Sequence, residues 1–409
     1  MIPPMNDQTI EILPVKTSAE LKRFVRVPMD LMAGDPNYIA PLIFERLEAL
    51  SPKTNPFFEH ADVQFWLARR GGRDVGRISA QIDHLARTDP AAPAGYFGMI
   101  AAEDDADVFA ALFSAAEDWL RARGRTQILG PFNLSINEEV GLLIDGFDTP
   151  PMLMMGHDPR YTARRIEALG YAKAKDVFAY LSAVPEFTPG VKARLRKPLP
   201  EGVVLRSIRM GRFAEEVNTL VGILNDAWSE NWGAAPVTET ETKHLADSLR
   251  LILNPRLIWF LEIDGEAAGF VVLLPNLNEA IHDLRGRLLP FGWIKLLWRL
   301  KVKGVRRGRV PLMGVKRKFA RDRRGILAPF FLLDAIRREG VKAGITEAEY
   351  SWILEDNGPM RHILEGFTAK IYKTYRIYGK SLVSGTLASA RTAIDGAGGD
   401  RASNISITL

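Results

Sequence analysis

Three groupings of side chains in this sequence are equipped for chemistry, and the densest is cationic. Residues 284–324 hold fifteen Lys or Arg and a single acid, Asp322; that stretch carries +14 in a chain of formal charge +5, and the remainder carries −9. So one-sided a concentration attracts phosphate, whether in nucleic acid, anionic lipid headgroups or a polyphosphate cofactor. The second grouping, NDAWSENWG, sets Asn225, Trp228, Glu230, Asn231 and Trp232 close together. Two indoles with a few polar groups suit the wall of a cavity for an amphipathic ligand. The third, EYSWILEDNGPMRH, brings a carboxylate (Glu355), an amide (Asn357) and an imidazole (His362) to the end of an apolar run, where proton transfer near neutral pH is within reach.

What is missing narrows the chemistry. There is no cysteine, so disulfides, thiolate metal sites and a Cys nucleophile are excluded, and the composition suits a reducing compartment. The six histidines are scattered with no HExxH, which gives no indication of a metal, and no GxSxG marks a Ser nucleophile. The N-terminus lacks a basic stretch followed by an apolar core, so the expected location is cytoplasmic.

The elements that must position these groups come from periodicity. TIEILPV reads as a strand and SAELKRFVRVPMDLM as a helix capped by Ser18. VQFWLARR and VGRISAQIDHL form a hairpin across Gly71-Gly72; an amphipathic helix closed by Gly124 and the buried strand QILGPF follow. The second half repeats the order: strand VVLRSI, helix FAEEVNTLVGILNDAW, and a hairpin turning at Asp264-Gly265. After these come strand RVPLMGVKRKF, helix ILAPFFLLDAIRREG and strand EAEYSWIL. RRIEALGYAKAKDVFAYL also lies over MRHILEGFTAKIYKTYRIY, pairing Gly170-Tyr171 with Gly366-Phe367. Two copies of one mixed α/β unit are therefore expected: 1–185, a linker at 186–202, 203–383, and a disordered tail at 384–409.

Strand, helix, hairpin, strand, basic Gly-containing loop, helix, strand and then "GF" resembles the GNAT acyltransferase superfamily. By that resemblance residues 203–383 form one GNAT domain and the N-terminal copy is degenerate. Its corresponding region, AAEDDADVF, offers Glu103, Asp104, Asp105 and Asp107 where cations would be needed for a pyrophosphate. The phrases DPNYIAPL, GPFNLSINEEVGLLIDGFDTPP, NDAWSENWGAAPVT, EDNGPM and KTYRIYGKSL further resemble a bacterial family of double-GNAT proteins similar to bacterial ceramide synthases, which N-acylate a sphingoid amine from an acyl thioester.

The resemblance implies acyl-CoA, or an acyl carrier protein, as donor. The family loop Gln/Arg-x-x-Gly-x-Gly/Ala falls on Asp322-Arg323-Arg324-Gly325-Ile326-Leu327, with Asp and Leu departing from the pattern. Donor contacts are expected from Val315, Arg317, Phe319, Arg321, Arg323, Arg324, Gly325, Ile326 and Asn357, and acceptor contacts from Asn225, Trp228, Asn231 and Trp232. Glu355 is the expected base; His362 is the expected acid, with Tyr372 and Tyr375 as fallback acids.

One segment stands apart. LLPFGWIKLLWRLKVKGVRRGRV is too short an apolar run to span a bilayer, which takes roughly 20 residues. On a helical wheel Lys295, Arg299, Lys303 and Arg306 share a stripe with apolar side chains around most of the rest, the pattern of a helix lying at a membrane surface. A helix packed on its own domain is the other reading. The expected function is N-acylation of a lipid-like amine by a cytoplasmic enzyme peripheral to the inner membrane through 288–307, the segment forming an insertion at 284–309. The alternatives are acetylation of a small soluble amine or peptide, and a nucleic-acid-binding or regulatory role without catalysis. No helix-turn-helix or RNP signature supports the last.

Overall fold

Thr17, rather than Ser18, caps the first helix. Its hydroxyl accepts from the Glu20 amide while the Glu20 carboxylate accepts from the Thr17 amide, a reciprocal cap that moves the helix start back by one residue. The structure is a computed structural model describing residues 9–183, 187–249 and 254–383. The tail expected at 384–409 lies outside the described residues.

The chain divides into two units of mixed α/β structure. The first gathers the described residues up to Asp176, with Ile281–Leu288 and residues 375–383; the second gathers the described residues of Val177–Ala280 and Leu289–Thr374. In chain order unit 1 is built from β1 (Glu11–Pro14), α1 (Ser18–Leu31), α2 (Ile43–Ala49), β2 (Ala61–Arg70), β3 (Arg73–Asp83), β4 (Ala94–Ala102) and α3 (Ala106–Arg121). Then follow β5 (Gln127–Gly130), β6 (Phe132–Asn133), β7 (Glu139–Val140), β8 (Leu142–Asp145), α4 (Thr162–Ala168) and the start of β9 (Ala172–Ala183). Strands β1 to β5 lie side by side, antiparallel except for the parallel pair β4–β5. Side chains alternate across the sheet as strand geometry requires. Trp66, Ala68, Ile78 and Ala80 pack toward α3, whereas Phe65 and Leu67 share a cluster with Phe24 and Val27 of α1.

Unit 2 repeats that plan with α5 (Pro189–Leu195), β10 (Val203–Ser207), α6 (Phe213–Trp228), α7 (Glu239–Leu249), β11 (Ile258–Ile263) and β12 (Glu266–Pro275). After these come α8 (Asn278–Ile281), α9 (Gly292–Trp298), β13 (Arg307–Val315), α10 (Arg323–Lys342), β14 (Glu347–Leu354), α11 (Gly358–Gly366) and β15 (Lys370–Ser381). Its sheet is antiparallel except for β13–β14. Phe260, Phe270 and Leu312 pack on α6, and Leu261, Val271 and Met313 pack on α10, so one helix covers each face.

Each unit ends in a strand from the other half of the chain. Val177–Ala183 of β9 pairs antiparallel with β14 in unit 2, and Tyr378–Ser381 of β15 pairs antiparallel with β5 in unit 1. The sequence reading kept each strand with its own copy. A strand's alternation fixes which side chains face inward but not which edge it joins.

None of the residues of α9 is buried, and a wider π turn at Arg299–Lys303 continues it. Among the described residues no helix is long and apolar enough to cross a membrane.

Candidate functional site

In unit 2 the parallel strands β13 and β14 part company. They pair only over Arg307–Val310 and Glu347–Tyr350, although β13 runs on to Val315 and β14 to Leu354. Both bend at that level. The β12–β13 register slips between Val272 and Leu274, and the β14–β9 register slips between Tyr350 and Ile353, each leaving an extra residue on the strand that parts. Beyond the bend the facing main-chain groups have no ladder partner on the opposite strand, a vacancy an extended ligand can fill by strand-like hydrogen bonding.

A buried polar cluster marks the apex of this wedge. Arg309 (1% exposed) lies opposite Glu349 (0% exposed) in the parallel register. Arg309 Nε donates to Ser351 Oγ at 2.8 Å and Nη2 to the Ser351 carbonyl at 3.3 Å, while its guanidinium lies over the Trp352 ring, 4.6 Å from the centroid. The Ser351 and Tyr372 hydroxyls both donate to the Glu349 carboxylate. Burial raises the Glu349 carboxyl above its ordinary value, and Arg309 opposes that rise. Lys373 is buried with them, and the buried Trp352 indole N–H has no hydrogen-bond partner among the described residues. Chemically, this is a carboxylate joined through the Ser351 hydroxyl to the Arg309 guanidinium and capped by the Tyr372 hydroxyl, a group able to accept a proton away from bulk water.

The loop that follows β13 supplies anion-binding groups and also occupies some of them. Asp322 caps α10, its Oδ1 accepting from the Arg324 amide at 2.7 Å, and Arg324 is held by Asp322 and Asp264. Arg317 is drawn to Asp226 and Glu230, and Lys316 and Lys318 to Glu266. Much of the +14 of the sequence is thus neutralised locally. Arg321 and Arg323 remain exposed beside the helix start, where phosphate is favoured. Gly325 is needed at this turn: a Cβ there would lie 2.0 Å from the Phe319 carbonyl oxygen.

The remaining expected residues fall as follows. Val315 is buried at the end of β13, Phe319 is half-buried and Ile326 is exposed. Trp228 is buried at the end of α6 and reaches the Met313 carbonyl at 3.4 Å; Trp232 is half-buried. Asn225 clasps the loop, donating to the Val237 carbonyl and accepting from its amide, both at 2.9 Å, and the Asn231 amide donates to the Trp228 carbonyl at 2.8 Å. Asn357 caps α11 through the Met360 amide at 3.2 Å. Glu355 is half-buried just past β14, and His362 is exposed on α11. Tyr375 is in unit 1, fully buried, with its hydroxyl donating to the Gly156 carbonyl at 3.1 Å; it does not share a unit with Glu355 and His362. Sequence reasoning missed Arg309, Glu349 and Ser351. The signal was present, because Glu349 and Ser351 stand two apart in a strand otherwise fit for burial, and buried charges are rare without partners.

Unit 1 has the same parting and fills it. Strands β4 and β5 pair only from Ala94–Tyr96 to Gln127–Leu129, and the following segment closes the gap. Asn133 Oδ1 accepts from the Met99 amide at 2.7 Å, and Gln81 Nε2 donates to the Phe132 carbonyl at 2.6 Å. A Cβ on Gly98 would lie 1.9 Å from that carbonyl oxygen, so the plug sits hard against β4. The turn before α3 is capped by Asp105, itself paired with Arg70. Among the described residues no cluster of three or more His, Cys, Asp or Glu could hold a metal ion.

No family model matches the chain. Over 380 residues it is 60% identical to the bacterial ceramide synthase of Caulobacter vibrioides, covering 91% of this chain and 98% of that protein. It is 47% identical over 365 residues to the protein YghO of Escherichia coli K12, covering 89% of this chain and 93% of that one. Among solved structures, a tandem GNAT protein from the clavulanic acid biosynthesis pathway aligns with a TM-score of 0.55 at 14% identity, over 92% of this chain and 100% of that one, which establishes a shared fold.

Proposed function

Because this chain belongs to the family of double-GNAT bacterial acyltransferases and is itself an acyltransferase, we propose that it transfers an acyl group from acyl-CoA to the amine of a lipid-like acceptor of the sphingoid-base type. The observation that carries the donor half of this reading is the wedge of unit 2, open beyond Val310 and Tyr350 and followed directly by a basic loop that opens a helix. In this reading the extended thioester arm lies along the β13 edge between Met313 and Phe319. Arg321 and Arg323 meet the phosphates, and the cluster around Glu349 takes up the proton released as the amine attacks. An acidic carrier protein would meet the same two arginines, and the donor comparison below separates the two.

The lipid acceptor is supported by α9 and its flanks. Leu289 is 80%, Phe291 73% and Val302 70% exposed, and Trp293 and Trp298 stand about half open beside Lys295 and Arg299. Apolar surface this continuous is rare on a lone soluble protein, and cations beside it match anionic headgroups. We place the enzyme at the cytoplasmic face of the inner membrane by this segment.

The purified protein is incubated with acyl-CoAs of graded chain length, acyl carrier protein thioesters and a panel of amines, and free thiol is followed. Release that requires a long-chain amine supports the proposal. Release with small soluble amines alone replaces the acceptor, and absence of turnover with every amine, together with salt-sensitive nucleic-acid binding, overturns it.

A further inference from the structure

Unit 2 holds α9 and the donor loop at opposite ends of one strand. Strands β12 and β13 are antiparallel, so their register fixes which loops share an end. Pro275 faces Gly308, and the connection that carries α9 leaves from there; Gly269 faces Val315, and the donor loop starts from there. The turn at Asp264-Gly265 belongs to the donor end, because Asp264 holds Arg324 while Glu266 holds Lys316 and Lys318. The α9 end is tied down as well. Arg299 Nη1 donates to the Ala280 carbonyl at 2.8 Å, and the Glu279 carboxylate accepts from the Arg306 amide at 2.9 Å. The nine residues of β13 set the two ends apart by roughly 26 Å, at about 3.3 Å per step. The 20 residues of α10 run back over roughly 30 Å, at about 1.5 Å each. They finish at the α9 end, where the Thr346 amide donates to the Arg306 carbonyl at 2.8 Å.

The sheet between those ends is closed. On the α9 side of the wedge β13 and β14 pair from Arg307 to Val310 and from Glu347 to Tyr350. At the inner end of the wedge the Arg309 and Glu349 ion pair and the Trp352 ring are buried. An alkyl chain passing from the α9 end into the wedge would have to break that ladder and displace a buried ion pair, which is costly. The surface is one-sided too. Leu289, Phe291, Trp293, Leu297, Trp298 and Val302 are exposed at the α9 end, together with Val341 in the last turn of α10. Lys295, Lys303 and Arg306 are exposed among them, the complement of an anionic lipid surface.

Building on the acyltransferase and lipid-surface readings, we propose that unit 2 stands on the bilayer by its α9 end with the donor loop facing water, and that acyl transfer takes place above the membrane surface. The donor then arrives from water, and its phosphates never enter the headgroup layer. The acceptor is an amine on a single alkyl chain, because one such chain binds a bilayer only marginally and reversibly and so exchanges into water. An amine on a two-chain lipid stays in the bilayer, out of reach of the thioester.

The chain has no cysteine, so a single cysteine introduced at an exposed position places one fluorophore in the full protein. Leu297→Cys on α9, Lys342→Cys at the end of α10 and Glu201→Cys at the donor end are each labelled with bimane. Glu201 precedes Gly202, whose carbonyl accepts from the Asp264 amide at 2.8 Å. Each labelled protein is mixed with vesicles of phosphatidylglycerol and phosphatidylcholine, with and without brominated acyl chains. An interfacial helix sinks roughly 5–10 Å, so the Leu297 label should be quenched at least about ten-fold more than the Glu201 label, with Lys342 between them. In the same vesicles the unlabelled protein should acylate 2-aminooctadecane-1,3-diol at least about ten-fold faster than dioleoylphosphatidylethanolamine. Equal quenching at Leu297 and Glu201, or comparable acylation of the two amines, overturns the proposal and leaves acyl transfer and membrane contact standing. Quenching at none of the three labels, with the aminodiol still acylated, overturns the lipid-surface reading and this orientation with it. No turnover of either amine, with the depth order as expected, overturns the acceptor reading and supports the orientation.

Discussion

Glu349 shows how a single side chain can be legible as unusual while its role stays hidden. A carboxylate in the middle of a buried strand is visible in the sequence, but beyond Ser351 its partners come from β13 and β15, and nothing local to EAEYSWIL names Arg309 or Tyr372. Glu349→Gln keeps the shape and leaves Arg309 buried without its counter-charge. The expected loss is about 3–5 kcal/mol by denaturant titration; a loss below about 1 kcal/mol would mean that the cluster is not an ion pair. Asp158 makes a different prediction, through pH. Its folded value of about 7 lies above its ordinary 3.8, so between those values the unfolded chain ionises this carboxyl while the folded chain keeps the proton. Stability from this group therefore falls as pH rises through that window and levels off above it. Burial is the main cause, and the groups that act on it are Glu139, which adds to the rise, and Arg77, which opposes it. Asp158→Asn should gain on the native protein between pH about 4 and about 7, read from denaturation midpoints at several pH values. A difference that does not change with pH would remove the raised carboxyl.

Elements were the most readable level, because periodicity is a local property. The order of strands and helices in each half, the hairpin at Asp264-Gly265 and the Gly-containing turn into α10 all follow from the spacing of apolar residues and turn formers. Cap identity at Thr17 was missed by one residue, since a Thr-Ser pair offers two caps and Glu20 decides between them. The amphipathic segment was readable as a pattern but not as a choice between core and surface. The structure shows the apolar side open, because α9 buries none of its own residues. Changing Trp293, Ile294, Leu297 and Trp298 together to Ser should abolish co-flotation with anionic liposomes. The melting behaviour should hardly change, because exposed positions contribute within about 0.5 kcal/mol each. Retained flotation would move membrane contact elsewhere, and a large drop in melting temperature would mean that this face supports the fold.

At the scale of the molecule, the two halves of the chain are not two independent folds, and this is what the sequence hid most completely. The internal repeat is real at the level of element order, and it invites cutting between the copies near 186–202. The ladders oppose that cut: β14 of unit 2 is bordered by Val177–Ala183 from the first half, and β5 of unit 1 by Tyr378–Ser381 from the second. Ile377, Tyr378 and Leu382 are buried in unit 1. At roughly 1.5–3 kcal/mol for each large side chain, losing them removes a sizeable share of the ~5–15 kcal/mol that holds a domain folded. Loss of β15 also exposes an unpaired edge on β5, which favours aggregation. Residues 1–185 and 187–383 expressed separately should each be poorly soluble and lack a cooperative unfolding transition. Co-expression of the two should restore both solubility and acyl transfer, because each fragment then supplies the strand the other lacks. A first half that unfolds cooperatively on its own, with native-like circular dichroism, would show that β15 is an accessory to unit 1. The exchange would then be a feature of topology without consequence for stability.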